Sequence, residues 1–140
     1  MENGLLESNL GLQRFRNRRQ EIMSRTGAGT DPWYQRAFRS EYLQVYPGRS
    51  VESAEAEVAA ALDWLSPEEG ARVLDLCCGA GRHSRWLQGS AFELHGLDLS
   101  EELLAEARRH LQESVILHQG DMRQLPFEVD HFDAVLMFFT

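Results

Sequence analysis

The sequence predicts an α/β protein built on a doubly wound, parallel sheet. Three observations lead there. From residue 72 onward, short apolar runs alternate with stretches of helical periodicity. The first of those runs leads into a loop carrying Gly79 and Gly81. Three aspartates, Asp75, Asp98 and Asp121, recur at intervals of 23 residues, about one strand and helix each, at or near the ends of three successive runs. Alternation of this kind calls for right-handed crossovers between parallel strands.

Residues 1–31 mix Gly, Asn, Arg and Ser and close in "TGAGTDP", which reads as a flexible or partly helical arm ending in a linker. Residues 32–66 form a helical cap. Phe38, Tyr42, Leu43 and Tyr46 recur at helical spacing until Pro47-Gly48 breaks the pattern. This aromatic helix either packs on the core or lids a ligand. Ser50 caps the next helix, whose stripe of Val51, Ala54, Val58, Ala61, Leu62 and Leu65 opposes Glu52, Glu55 and Asp63. "SPEEG" ends it, and residues 67–140 form the sheet domain.

Within that domain, Val73-Leu74-Asp75-Leu76 is the first strand, and a helix follows the glycine loop through Trp86 and Leu87. Phe92 to Leu97 is the second strand. Ser100 caps a helix with Glu101 and Glu102 in its first turn and Leu103, Leu104, Ala107 and Leu111 on its buried face. Val115 to His118 and Phe132 to Phe138 are the third and fourth strands.

Composition narrows the function classes. The chain has 140 residues, 43% hydrophobic and 26% charged, with no apolar run near the ~18 residues of a membrane span and no secretory signal. The cytoplasm is the default location and no membrane partner is expected. Residues 51–140 carry six arginines against seventeen acids, which argues against broad nucleic-acid contact. The arginine cluster Arg14, Arg16, Arg18 and Arg19 reads as a solvated arm, with RNA or an acidic partner as the alternative. All fourteen basic residues are arginine, so neither a P-loop lysine nor a Schiff-base lysine exists in this chain. The adjacent Cys77 and Cys78 suit neither a stapled secreted fold nor, with His83, a zinc site. No metal is expected.

In doubly wound sheets ligands bind at the carboxyl ends of the strands. Asp75, Asp98 and Asp121 share that edge, although each has a structural alternative. Asp75 could hold loop amides together, Asp98 could cap a helix and Asp121 could stabilise the turn after Gly120. A carboxylate at Asp98 suits the vicinal hydroxyls of a ribose, which NAD and adenosyl cofactors both possess. Asp75 separates the two. An acid under the first loop repels a pyrophosphate and welcomes a cationic ligand. The loop also departs from the dinucleotide pattern G-x-G-x-x-G/A, because Ser84 stands at its last position.

Three motifs in order, "VLDLCCGAGRH", "LHGLDLSEELLAEAR" and "ILHQGDMRQLPF", followed by the strand "FDAVLMFF", resemble the N-terminal half of a class I S-adenosylmethionine-dependent methyltransferase over about Val73 to Phe139. The resemblance implies a Rossmann-like fold, S-adenosyl-L-methionine as cofactor and methyl transfer to an acceptor, which the acidic body and small cap suggest is a small molecule. It implies that Gly79, Ala80 and Gly81 line the methionine part, with Asp75 supporting its amine. Asp98 would bind the ribose hydroxyls with Leu99 against the adenine. Asp121 would accept from the adenine amino group, the Met122 backbone would face the ring, and Phe138 would lie near the sulfonium. In similar proteins an N-terminal helix with tyrosines covers the cofactor, which makes Tyr34, Tyr42 or Tyr46 lid candidates. No catalytic residue is assigned: His83, Cys77 and Cys78 qualify by chemistry only and are expected to be structural.

Such folds carry three more strands, whereas this sequence stops at Thr140, just after the fourth. It is therefore expected to be a fragment truncated after strand four, inactive by itself and prone to self-association through the uncharged edge of that strand. Two rival readings remain at this point: a non-catalytic binding or assembly module of the same fold, and an NAD-dependent oxidoreductase.

Overall fold

Val73 and Leu74 are both buried although they point to opposite sides of their strand, as expected of a strand covered on both faces. A computed structural model of the chain describes residues 51–138. Its order is α1 (Val51–Leu65), β1 (Arg72–Leu76), α2 (Ser84–Leu87), β2 (Glu93–Asp98), α3 (Glu101–Arg108), β3 (Ile116–Gln119) and β4 (Ala134–Leu136). The four strands form one sheet in the order β3-β2-β1-β4, and all three pairings are parallel. This is the doubly wound arrangement expected from the alternation. The strand order reverses between β1 and β4, which puts the crevice of such folds beside the loop after β1.

One face of the sheet packs on the helices. Val58 of α1, Val73, Leu87 of α2, Leu94, Val115 and Leu136 form a buried cluster, with Ala61, Leu62, Phe92, Leu111 and Phe138 packed around it. Ala54 and Val58 carry the buried stripe of α1 and Leu65 lies outside it, exposed at the helix end. Helix α1 thus shares the core of the sheet, within a compact unit running from Gly48 to Thr140. Truncating a side chain such as Leu87, fully buried here, costs on the order of 2–5 kcal/mol in comparable cores.

The opposite face carries rings. His95 and His118 stack at 5.2 Å between centroids, Phe127, His131 and Phe132 meet them edge-on, and Phe127 stacks on His131. Here the strand boundaries differ from those expected. Phe132 and Asp133 stand before β4 because each has another task. The Asp133 carboxylate accepts from the Arg72 amide at 2.7 Å, closing the start of the pair β1·β4, and Phe132 packs edge-on against His95. β4 therefore spans three residues and ends at Leu136, two before Phe138.

Ser100 caps α3 as expected, accepting from the Leu103 amide at 3.3 Å, and Leu103, Leu104 and Ala107 are buried. The helix after the glycine loop is a single turn, Ser84–Leu87, preceded by turns. The expected arm and aromatic cap helix, including Tyr34, Tyr42 and Tyr46, lie outside the described residues. Among the described residues, no helix is long and apolar enough to cross a membrane.

Candidate functional site

The chain leaves β1 through three left-handed residues, Cys77 (φ 62°), Gly79 (φ 56°) and Gly81 (φ 78°). Glycine takes this conformation freely, whereas a cysteine pays roughly 1–3 kcal/mol for it. The two glycines serve different ends. A Cβ on Gly81 would lie 2.9 Å from Leu111 Cδ1 and 3.3 Å from Ala107 Cβ, so this position is bare to let α3 and its following turn pack closely. A Cβ on Gly79 would meet only Leu103 Cδ1, at 3.9 Å, so its requirement is the backbone angle.

The amides of this loop face inward. Gly79 N–H donates to Asp98 Oδ2 at 2.9 Å, Cys78 N–H to the Leu97 carbonyl at 3.1 Å, and Gly81 N–H to the Cys78 carbonyl at 3.0 Å. A loop that cradles a pyrophosphate presents its amides to the ligand. This one has committed three of them to the protein.

The acids converge as their spacing predicts, though each in its own setting. Asp75 is 1% exposed and accepts from Ser84 Oγ at 2.5 Å. Burial pushes its carboxyl up to about 6; the Ser84 hydrogen bond opposes that rise and the Asp98 charge adds to it. Asp98 ends β2, level with Gln119 of β3, and its second oxygen accepts from the Ser100 amide at 2.9 Å. Burial raises its pKa against the amides of Ser100, Gly79 and Leu99. Asp121 lies past the end of β3, half-buried and clasped by Arg123, whose Nε donates at 2.9 and 3.1 Å and whose amide donates at 3.0 Å. Those side-chain and backbone bonds hold Asp121 down at about 2.

Cys77 marks where the three meet. Burial first, then the charges of Asp98, Asp75 and Asp121, push its thiol up to about 11. The Cys78 thiol is also pushed well up, by burial and then by Asp75 and Asp98. Neither thiol is a base or a ready nucleophile at neutral pH. The Cys77 thiol instead donates to Met122 Sδ at 3.4 Å, joining the end of β1 to the turn after β3. Met122 is exposed, and Leu99 and Ala80 are partly so, at the same edge of the sheet.

Phe138 stacks on His83, with centroids 4.0 Å apart and planes 15° from parallel. His83 is buried and lies 2.6 Å from Glu57 Oε2, a partner on α1 that the sequence pattern did not single out. Ser84 was another. Its position in the loop was noted as a departure from the dinucleotide pattern, but its hydroxyl turns out to be the hydrogen-bond donor for the buried Asp75.

Known methyltransferases resemble this chain in sequence and fold. Residues 73–140 match a family model described as a methyltransferase domain. A sugar N,N-dimethyltransferase from Streptomyces venezuelae, acting on a dTDP-3-amino-3,4,6-trideoxy-glucopyranose, is 37% identical over 101 residues, 71% of this chain and 41% of that protein. A 2-phytyl-1,4-naphthoquinone methyltransferase from Synechococcus elongatus is 39% identical over 85 residues, 55% of this chain and 36% of that protein. Among solved structures, an S-adenosylmethionine-bound amino pentose methyltransferase from Micromonospora echinaspora superposes with a TM-score of 0.56 at 39% identity, over 71% of this chain and 42% of the other. The chain thus spans less than half the length of each of these relatives.

Proposed function

We propose that this chain forms the cofactor-binding part of a class I S-adenosylmethionine-dependent methyltransferase, an enzyme transferring a methyl group from S-adenosylmethionine to a small-molecule acceptor; the methyltransferase-domain match over residues 73–140 and the likeness to methyltransferases support this reading. One observation supports the choice of ligand above the rest. The loop after β1 turns its Gly79 amide onto Asp98 and overlies the buried Asp75, so it offers a negative field where a dinucleotide needs donors. The ammonium and sulfonium of S-adenosylmethionine suit that field, and these residues fit the group.

When bound, this cofactor supplies an activated methyl that passes in line to an acceptor atom. The protein's share is to bind, orient and exclude water. Asp98 accepts from the amides of Gly79, Ser100 and Leu99, and the acceptor capacity its two oxygens retain serves the ribose hydroxyls. Asp75 contributes charge from beneath the loop rather than a direct contact, being fully buried. Gly79, Ala80 and Gly81 line the methionine part, Leu99 and Met122 flank the adenine, and Phe138, two residues past the end of β4, stands toward the sulfonium. Asp121 reaches the adenine amino group with a carboxylate already oriented by Arg123. The acceptor class follows the amino-sugar and quinone relatives, and the free thiols of Cys77 and Cys78 suit a cytoplasmic setting.

Calorimetric titration of S-adenosylhomocysteine into wild type and Asp98→Ala tests this reading. Charge-assisted bonds to two hydroxyls, each about 1.5–3 kcal/mol, predict a loss of tenfold or more in affinity. A variant within about twofold of wild type would remove Asp98 from the site.

A further inference from the structure

Helix α1 reaches the glycine loop through one carboxylate. Glu57 Oε2 lies 2.6 Å from His83 Nε2 and 3.0 Å from Arg82 Nη2, while Arg82 Nη1 donates to Ser53 Oγ at 3.0 Å, one turn earlier on the same helix. A carboxylate oxygen at that distance requires a proton on the facing nitrogen, so His83 donates. Arg82 Nη2 also lies 2.8 Å from His83 Nε2, and with that nitrogen protonated its hydrogen bond goes to Glu57. Desolvation is the largest single influence and raises the Glu57 pKa; the His83 hydrogen bond and the Arg82 charge together outweigh it and hold the carboxyl below its ordinary value.

His83 passes this anchorage on. Its ring is buried and lies face to face with Phe138, which follows β4. Arg82 and His83 come directly after Gly81, and the loop before them contains two glycines at positive φ, residues with little torsional preference of their own. The backbone from Gly79 to Gly81 is therefore held at its exit by side chains, and both are grasped by the same carboxylate. Glu57 precedes His83 by 26 residues and His83 precedes Phe138 by 55, so three remote segments are fixed to one another at this point.

We propose that Glu57 is a positioning residue of the cofactor site: acting through His83, it fixes the exit of the Gly79–Gly81 loop and the Phe138 ring. The proposal rests on the cofactor reading above. It gives α1 a role beyond covering the sheet, since a shift of this helix moves both the loop and the aromatic wall.

The test is titration of S-adenosylhomocysteine into the full chain as wild type, Glu57→Ala, the isosteric Glu57→Gln, His83→Gln and the double variant Glu57→Ala/His83→Gln. Thermal unfolding curves identify a temperature at which each is folded. Glu57→Ala is expected to weaken binding about fivefold, Glu57→Gln less, and the double variant no more than Glu57→Ala alone. Affinity of the folded Glu57→Ala protein within about 1.5-fold of wild type, whatever its melting temperature, overturns the proposal. Additive losses overturn the route through His83. If Glu57→Ala does not fold, Glu57→Gln carries the same comparison. Failure of wild type itself to bind overturns the cofactor reading and this proposal with it, an outcome distinct from a wild type that binds and a Glu57 variant that binds equally.

Discussion

At the scale of single residues, the pair Asp75 and Asp98 shows how one residue type serves two purposes a few ångströms apart. Asp75 is sealed beneath the loop with Ser84 as donor, and Asp98 faces the amides of Gly79, Ser100 and Leu99 at the end of β2. Because the Asp75 carboxyl is raised to about 6, the fold favours its neutral form. That contribution to stability is complete below the unfolded value near 3.8 and is lost as pH rises through 6. Ligand binding runs the other way. An ammonium remains protonated across this window, and a charge at ~7 Å and an effective dielectric of ~20 is worth roughly 2 kcal/mol. Affinity for S-adenosylhomocysteine should therefore strengthen by up to about tenfold from pH 5 to 7. Asp75→Asn should flatten the profile, and an unchanged slope in that variant would assign the effect elsewhere. Gly81 offers a second test. Its positive φ and the 2.9 Å approach of Leu111 predict that Gly81→Ala lowers stability by ~1–3 kcal/mol in a denaturant melt, whereas the loss at a merely flexible loop position would be near zero.

At the scale of elements, the alternation of strands and helices and the capped α3 were legible because they depend on local pattern. Periodicity marks Leu103, Leu104 and Ala107 as the inner face, and Ser100 stands where a cap must. The limits of β4 were not legible, because Phe132 and Asp133 are drawn away by His95 and Arg72, partners 37 and 61 residues distant. The contact of Glu57 with His83 was hidden for the same reason. A glutamate on the polar side of a helix looks alike whether it meets solvent or a buried imidazole. The ring cluster opposite the helices is a third case, since nothing local in "ELHGLD" or "ILHQ" says that their histidines touch. His95 Nδ1 lies 2.9 Å from His118 Nε2, and His95 Nε2 faces Glu93 at 2.7 Å. One of the two facing nitrogens must be without a proton, so the pair cannot be doubly protonated and keep its bond. Burial first, then His95 and His131, lower the His118 pKa from 6.5. The neutral form is favoured in the fold, so this contribution is present above pH 6.5 and lost as pH falls. His118 is largely solvent-screened, which limits the effect to about 2–4 °C in the melting temperature between pH 7.5 and 5.5, relative to His118→Gln. Identical pH dependence in the two proteins would dismiss the pair as a titrating element.

At the scale of the whole molecule, parallel strands deliver Asp75, Asp98 and Asp121 to one edge, and the reversal of strand order between β1 and β4 sets that edge beside the glycine loop. The interval of 23 residues carried this information before any coordinate did, because a strand and its return helix have a nearly fixed length. What the interval could not carry is the direction of the loop amides, which depends on Asp98 folding back onto Gly79. On the proposed reading, that inward turn favours a cationic adenosyl ligand over a dinucleotide. The most direct measurement is a pair of calorimetric titrations on the wild-type chain at pH 7.5, one with S-adenosylhomocysteine and one with NAD. The structure predicts saturable binding of S-adenosylhomocysteine at one site and no measurable heat from NAD. Tighter binding of NAD, or no binding of the adenosyl ligand by folded protein, would contradict it.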